Sequence, residues 1–445
     1  MSIKKVLINV VAGCLMYWLN PIPANAQSFE TINEKALKFL NYLADSNFAA
    51  ANNMLDSSTR VYLNDFTLQR DWIELTGNYG TLVSKKPIEF QQQSGYTFVQ
   101  YLLKLELLQY VLSLTFNPEL KIGYVQFAPA HQVYHIPNYA DITKYRDTTV
   151  TFKTTDIFEF KGILSLPNTQ KKVPLIFIVG DAGPTDKDFS MKDNKPYRDL
   201  ASGLATAGYA VYRFDKRAYL YGIYLAADKN NYKPFTPKED YLDDLYAAME
   251  EVKKLPYFDL NRIYILGHGQ GGNLAPYIAK ERKDIKGIMM LGANAVSQQE
   301  MMAEQYDYLA DVLYEKRHEY LENKRKIANT LPGKVRWFDR HDSMPYGIQA
   351  SYFVWLNNYN HLETAKKLQK PILIMHFERD YQVSNRNFDL WKQTLKKHKQ
   401  ATFKSYKKLN HLMYEGEGPS TYSDYYIKAN LPEYLIKDLA DWLDK

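Results

Sequence analysis

The chain has one cysteine in 445 residues, Cys14, and it sits inside an apolar N-terminal stretch. Once that stretch is removed, no disulfide and no thiol nucleophile can form. An excess of one charge sign is also missing. The 56 Lys and Arg face 50 Asp and Glu, leaving a net +6 with the signs interspersed. No basic stripe stands out, which argues against nucleic acid as the main partner. The apolar run Val6 to Leu19 is too short to be read as a membrane span, so no transmembrane segment is expected. Two cofactor signatures are absent as well. Gly267 to Gly272 follows an apolar run, but it lacks the Lys-[ST] ending of the phosphate cradle G-x-x-x-x-G-K-[ST], and although Gly267, Gly269 and Gly272 fall at G-x-G-x-x-G spacing, the acid about 20 residues on that completes a dinucleotide site is missing. No cofactor and no metal are therefore expected.

What is present begins with a targeting signal. Lys4 and Lys5 form a basic end, the apolar run follows, and Ala24-Asn25-Ala26 is a small-residue cleavage site. Cleavage after Ala26 would remove two lysines, taking +6 to +4, and would export the chain to the periplasm or beyond. A rival reading is a lipoprotein box, Val11-Ala12-Gly13-Cys14, anchored through Cys14. The apolar LMYWL after the cysteine argues against it.

Residues 27–130 read as a small α+β domain. Ile32, Ala36, Phe39 and Leu43 fall at spacings of four, three and four, one face of a helix. Trp72 is a candidate core anchor. Residues 96–127 change to a strand-like period, with Asn117-Pro118 marking a turn. Residues 131–148 read as a linker. His131 and His135 are four apart, which would suit a metal pair on a helix, but Pro137 and the lack of helical period favour the linker. From 149 to 445 the pattern is α/β. VTFKTT and IFEFKGILSLP look like an opening antiparallel pair. PLIFIVG, YAVYRFD, IYILGH, GIMMLGA and PILIMHF are apolar runs without alternation, as in strands buried on both faces. Leu242, Leu245, Met249 and Val252 make one helical stripe between two of them. Residues 297–360 interrupt this alternation with a charged helix and an aromatic-rich stretch, where a cap over a pocket would sit.

The stretch Ile263 to Pro276 reads as strand, glycine turn, helix, with the helix taken from Asn273. This is the setting of the G-x-S-x-G elbow that presents a nucleophilic serine. Here the frame is Gly267-His268-Gly269-Gln270-Gly271, and glycine stands where serine belongs. An acid follows a late strand, PILIMHFERD ending at Asp380, and a histidine follows the next, ATFKSYKKLN before His411. Elbow, acid, histidine is the order expected of this fold.

These motifs, with GPTDKDF at 183–189, YRFDKR at 212–217 and LNHLMYEGEGPS at 409–420, resemble the bacterial α/β-hydrolase esterases related to serine aminopeptidases. The segment before them resembles the small cystatin-like domain that precedes some such esterases, read as a packing or dimerisation module. The resemblance implies a mostly parallel sheet with helices on both faces and a ligand that is a small ester, acyl or peptide-like compound. It places Asp380 as the orienting carboxylate and His411 as the proton acceptor. It also implies an oxyanion hole from the backbone N–H groups of Gln270 and Ala182.

Two departures weaken the expectation of turnover. Gly269 can form no acyl intermediate, although glycine adopts the strained elbow backbone without penalty. Asp181 stands in a loop where the family has small neutral residues. It would oppose a developing oxyanion if it faced the pocket, and it would be harmless facing solvent. His268 is expected to point away from the site and pack. Three readings follow: an esterase-like protein with little or no activity, a hydrolase in which His411 activates water admitted by the missing side chain, or a non-catalytic binding or scaffold protein of the cell envelope.

Overall fold

The computed structural model describes residues 29–93, 95–130, 134, 136–154, 158–227, 235–313, 316–340 and 343–445. The leader with Cys14, and His131 and His135, lie outside the described residues. The chain divides into two compact units between residues 131 and 132.

In the first unit, helices Phe29–Ala44, Phe48–Asn52, Ser57–Tyr62 and Asp65–Tyr79 precede a four-stranded antiparallel sheet. Its strands are β1 (Leu82–Gln93), β2 (Tyr96–Leu105), β3 (Gln109–Phe116) and β4 (Ile122–Pro129), paired in chain order. The helical stripe Ile32, Ala36, Phe39 and Leu43 is fully buried, and Trp72 packs in the same core with Leu112, Leu114 and Phe116. Asn64 starts the helix that carries Trp72 by accepting the Thr67 N–H at 3.0 Å. β1 is missing from the pattern reading because Lys85-Lys86-Pro87 and Gln91-Gln92-Gln93 mask its alternation. It survives as an edge strand, where proline is tolerated, with a register shift between Pro87 and Glu89.

The second unit is an eight-stranded, mostly parallel sheet. Its strands are β5 (Tyr145–Lys153), β6 (Glu159–Pro167), β7 (Val173–Val179), β8 (Ala210–Phe214), β9 (Phe258–His268), β10 (Ile285–Leu291), β11 (Ile372–Phe377) and β12 (Ala401–Tyr406). They lie in the order β12-β11-β10-β9-β7-β8-β6-β5. β6 runs antiparallel to both β5 and β8, and the remaining pairs are parallel. β5 begins at Tyr145, inside the stretch read from sequence as linker. Apolar cores cover the two faces of the sheet, as the uninterrupted apolar runs require. On one side Leu242, Leu245, Met249 and Val252 are buried beside Leu274 and Ile278. On the other, Leu200 and Leu204 pack with Leu435, Leu439 and Trp442.

The interruption after β10 forms helices Gln298–Val312, Arg317–Ile327, Ala350–Asn357 and His361–Lys367. It has a small core of its own around Met302, Tyr306, Ile327, Met344 and Phe353. Its first helix is tied to the loop after β11: Glu304 accepts from Ser384 Oγ at 2.7 Å, and Tyr308 stacks on Tyr381 at 5.7 Å.

Candidate active site

Strand register builds the site. β7 and β9 are parallel neighbours, and Val179 pairs with Gly267. Residues 181 and 269, each two positions further on, therefore leave the sheet side by side. The chain steps from β7 to β8 on one flank and to β9 on the other, so this is the point where strand order reverses. Open α/β sheets bind ligands at that point, beyond the carboxyl ends of the strands.

The elbow is tight because three of its residues have no side chain. A Cβ on Gly267 would fall 2.4 Å from the Gly271 carbonyl oxygen, and one on Gly271 would fall 2.1 Å from the Val179 carbonyl oxygen. Gly269 has φ 51° and ψ −118°, in the left-handed region where a side chain is strained. Its N–H donates to the Leu291 carbonyl at 2.9 Å. The helix starts at Gln270 rather than Asn273, so the Gln270 N–H is one of the N-terminal donors left without a partner inside the helix.

That donor is not open to solvent. It points to Asp181 Oδ1 at 2.8 Å. The second carboxylate oxygen, Oδ2, accepts from His411 Nε2 at 2.9 Å, and His411 Nδ1 donates to Asp380 Oδ2 at 2.6 Å. A Cβ built on Gly269 would lie 1.9 Å from Asp181 Oδ1 and 2.3 Å from its Cγ. The carboxylate of Asp181 thus fills the space a serine side chain would need, with one oxygen on the oxyanion-hole donor and the other on the catalytic-frame histidine. Of the two orientations open at the sequence level, Asp181 takes the inward one.

The loop that carries Asp181 is held from behind. Lys216 Nζ and the Tyr241 hydroxyl donate to its carbonyl oxygen at 3.1 and 3.0 Å. Its own N–H donates to the Tyr197 hydroxyl at 2.9 Å. Lys216 is buried and paired with Asp240 at 3.2 Å. The motif residues of 183–189 and 212–217 have the same supporting role: Arg213 pairs with Asp188 at 2.8 Å, and Lys187 with Asp215 at 3.2 Å.

Charge follows from this geometry. Burial alone would lower the His411 pKa, but Asp380 and Asp181 on its two nitrogens outweigh burial and push it up to about 10. Burial would likewise raise the Asp181 carboxyl. The His411 imidazolium and its hydrogen bond overcome that and hold Asp181 well below the usual carboxylate range. His411 is thereby held as an imidazolium against the Asp181 carboxylate at neutral pH. His268 behaves oppositely. Burial, with His411 beside it, pushes its pKa down to about 4. It accepts from Tyr197 Oη at 3.0 Å and donates through Nε2 to the His411 carbonyl at 2.8 Å. His268 is fully buried behind the site, a packing position.

The structure brings together Gly269, Gln270, Asp380 and His411 from the sequence reading. Ala182 lies exposed at the rim of the site, next to the buried Asp181. Sequence reasoning missed Lys216, Tyr241 and Tyr197 as holders of the Asp181 loop. The YRFDKR motif was the available signal for Lys216, and nothing marked the two tyrosines. Asp181, His268 and His411 offer three ligand atoms within 4.8 Å of one another. The donor set is poorly suited to a cation, because both nitrogens of His268 and of His411 are engaged in the hydrogen bonds just described.

A cleft of about 420 Å³ opens beside the trio, with Asp181, Phe189, Leu412, Tyr381 and Tyr425 among its walls. About 11% of the Asp181 side-chain surface remains exposed.

The family model described as serine aminopeptidase, S33, matches residues 193–417, a stretch that holds Gly269, Asp380 and His411. Esterase EstD of Thermotoga maritima is 27% identical over 418 residues, 94% of this chain and 96% of that protein. Among solved structures, the esterase domain of a Rhodothermus marinus protein is 18% identical with a TM-score of 0.42, covering 67% of this chain and 97% of that one. Est1E from Butyrivibrio proteoclasticus is 17% identical with a TM-score of 0.45, covering 67% of this chain and 99% of that one. With its elbow, acid and histidine assembled at the switch point of a mostly parallel sheet, the chain belongs to the serine aminopeptidase S33 family of α/β-hydrolases.

Proposed function

We propose that this chain is an exported, esterase-like protein that has given up acyl-enzyme chemistry and turns over carboxylic esters at or near background. It keeps a cleft suited to a small ester, acyl or peptide-like ligand. The observation that carries this reading is the Asp181 carboxylate in the serine's place, 2.8 Å from the Gln270 N–H and 2.9 Å from His411 Nε2. Three losses follow from it. There is no hydroxyl to acylate. The oxyanion donor is already engaged by an anion. The histidine carries a proton and cannot accept another.

The same observation weighs against His411-activated water. That route needs His411 neutral and room for a water at residue 269. Here the room is filled, and Nε2 donates to a carboxylate. The test is hydrolysis of 4-nitrophenyl butyrate together with labelling by a fluorophosphonate probe. Rates within about tenfold of buffer and no labelling are expected, since losing the nucleophile of such a site removes about a million-fold in turnover. Hydrolysis well above background that vanishes in His411→Ala would overturn the reading in favour of water activation.

A further inference from the structure

We propose that Asp181 is itself a nucleophile, directed at saturated carbon, and that the site hydrolyses alkylating compounds, primary alkyl halides and alkyl sulfonates, through an alkyl ester formed on Asp181. Chemistry selects the electrophile. A carboxylate that attacks an ester carbonyl gains only an anhydride, which is more reactive than the ester it came from. A carboxylate that displaces a good leaving group from an sp³ carbon gains a stable ester. Carboxylate side chains serve as covalent nucleophiles when placed beside a base and a charge-stabilising donor.

Each part needed is in place. Two of the roughly four lone-pair positions of an ionised carboxylate accept hydrogen bonds here, from Gln270 and His411, which leaves two for attack. The loop is fixed through its carbonyl by Lys216 and Tyr241, so the carboxylate is preorganised. The cleft beside it is walled by Phe189, Met191, Leu412 and tyrosines, a lining that fits an alkyl chain. Among the described residues Gln270 Nε2 is buried without a hydrogen-bond partner, a donor still uncommitted on the residue that holds Oδ1.

The steps balance. An oxygen lone pair of Asp181 forms the new C–O bond, and the carbon–halogen or carbon–sulfonate bond breaks, with the anion leaving. Asp181 is now an uncharged ester, so His411 has lost one of the two carboxylates that keep it protonated, and it releases its proton to solvent. Neutral His411 takes a proton from water as the hydroxide attacks Asp181 Cγ. The negative charge of the tetrahedral intermediate falls on Oδ1, which already accepts from the Gln270 N–H. Collapse expels the alkoxide, which takes the proton from His411. The regenerated acid then returns its own proton to the imidazole. The sum is alkyl halide plus water giving alcohol plus the hydrogen halide. Asp380 holds the ring throughout.

The test uses the full chain with 1-bromohexane and methyl 4-nitrobenzenesulfonate. Bromide release at least about tenfold faster than in Asp181→Asn is expected. In His411→Gln, deacylation should stall, and the peptide containing Asp181 should gain the mass of one alkyl group; Asp380→Asn gives an independent trap if His411→Gln does not fold. The unaltered chain turning over in ¹⁸O-water should incorporate the label into the Asp181 carboxylate, because water attacks Cγ rather than the alkyl carbon. No label in the unaltered chain, or bromide release equal to that of Asp181→Asn, would overturn the proposal. These substrates have no carbonyl, so their outcome is separate from the ester assays above: either reading can fail alone.

Discussion

Restoring the serine should require removing the aspartate as well. In Gly269→Ser alone, the new Cβ falls 1.9 Å from Asp181 Oδ1, well inside any contact distance. The carboxylate must move, which breaks its bonds to Gln270 and His411 and leaves charge buried with poorer partners, a change that costs about 3–5 kcal/mol. The serine would also sit at φ 51°, adding about 1–3 kcal/mol of backbone strain. If the carboxylate stays in the site, His411 stays protonated and cannot take the hydroxyl proton. We therefore expect Gly269→Ser to remain within about tenfold of background on 4-nitrophenyl butyrate. Asp181→Gly alone should also be near background, having no nucleophile. The double variant Asp181→Gly/Gly269→Ser frees the Gln270 N–H, lets the His411 pKa fall toward that of an ordinary imidazole, and supplies the oxygen. It should exceed either single variant by about a thousand-fold or more in kcat/KM, a part of the full contribution of such a triad. Fluorophosphonate labelling should appear in the double variant only. Melting temperatures of all four proteins give the stability side of the same cycle. Gly269→Ser as active as the double variant would refute the claim that Asp181 occupies the site.

Two further outcomes follow from the same contacts. The His411 pKa is raised on folding, so the stability it contributes is complete below the unfolded value near 6.5 and is lost as pH rises through about 10. Melting temperature should accordingly fall more steeply between pH 8 and pH 10.5 in the unaltered chain than in Asp181→Asn, and parallel curves would count against the coupled trio. Gly271→Ala should destabilise the second unit by more than about 3 kcal/mol, since its Cβ meets backbone that cannot yield, whereas Gly183→Ala, with no neighbour within 4 Å but φ 85°, should cost only the strain of its backbone, about 1–2 kcal/mol; urea unfolding compares them.

Much of this is legible without coordinates, for reasons that differ from element to element. The strands of the large sheet show as unbroken apolar runs because both faces are covered. The elbow and Asp380 show because each lies directly after such a run, whereas His411 shows only through the LNHLMYEGEGPS motif, since the strand before it, ATFKSY, is half-exposed and carries Lys404 and Ser405. β1 does not show, since an edge strand can carry Lys85, Lys86 and Pro87 and still pair. The helix after the elbow begins at Gln270 because Gly271 and Gly272, poor helix formers in isolation, are compelled by close packing on Val179 and Ala293. The direction of Asp181 could not be read from its neighbours in the chain. It is fixed by the pairing of Val179 with Gly267, a contact across 88 positions, and by the space left at Gly269.

The protonation state of His411 tests the central claim most directly. With ¹⁵N-labelled histidine, NMR titration of the full chain should show both ring nitrogens of His411 protonated up to pH 9 or above, and the titration should move down in Asp181→Asn. A His411 that titrates near its ordinary value, about 6.5, and is indifferent to Asp181→Asn would contradict the claim that the aspartate has taken the serine's place.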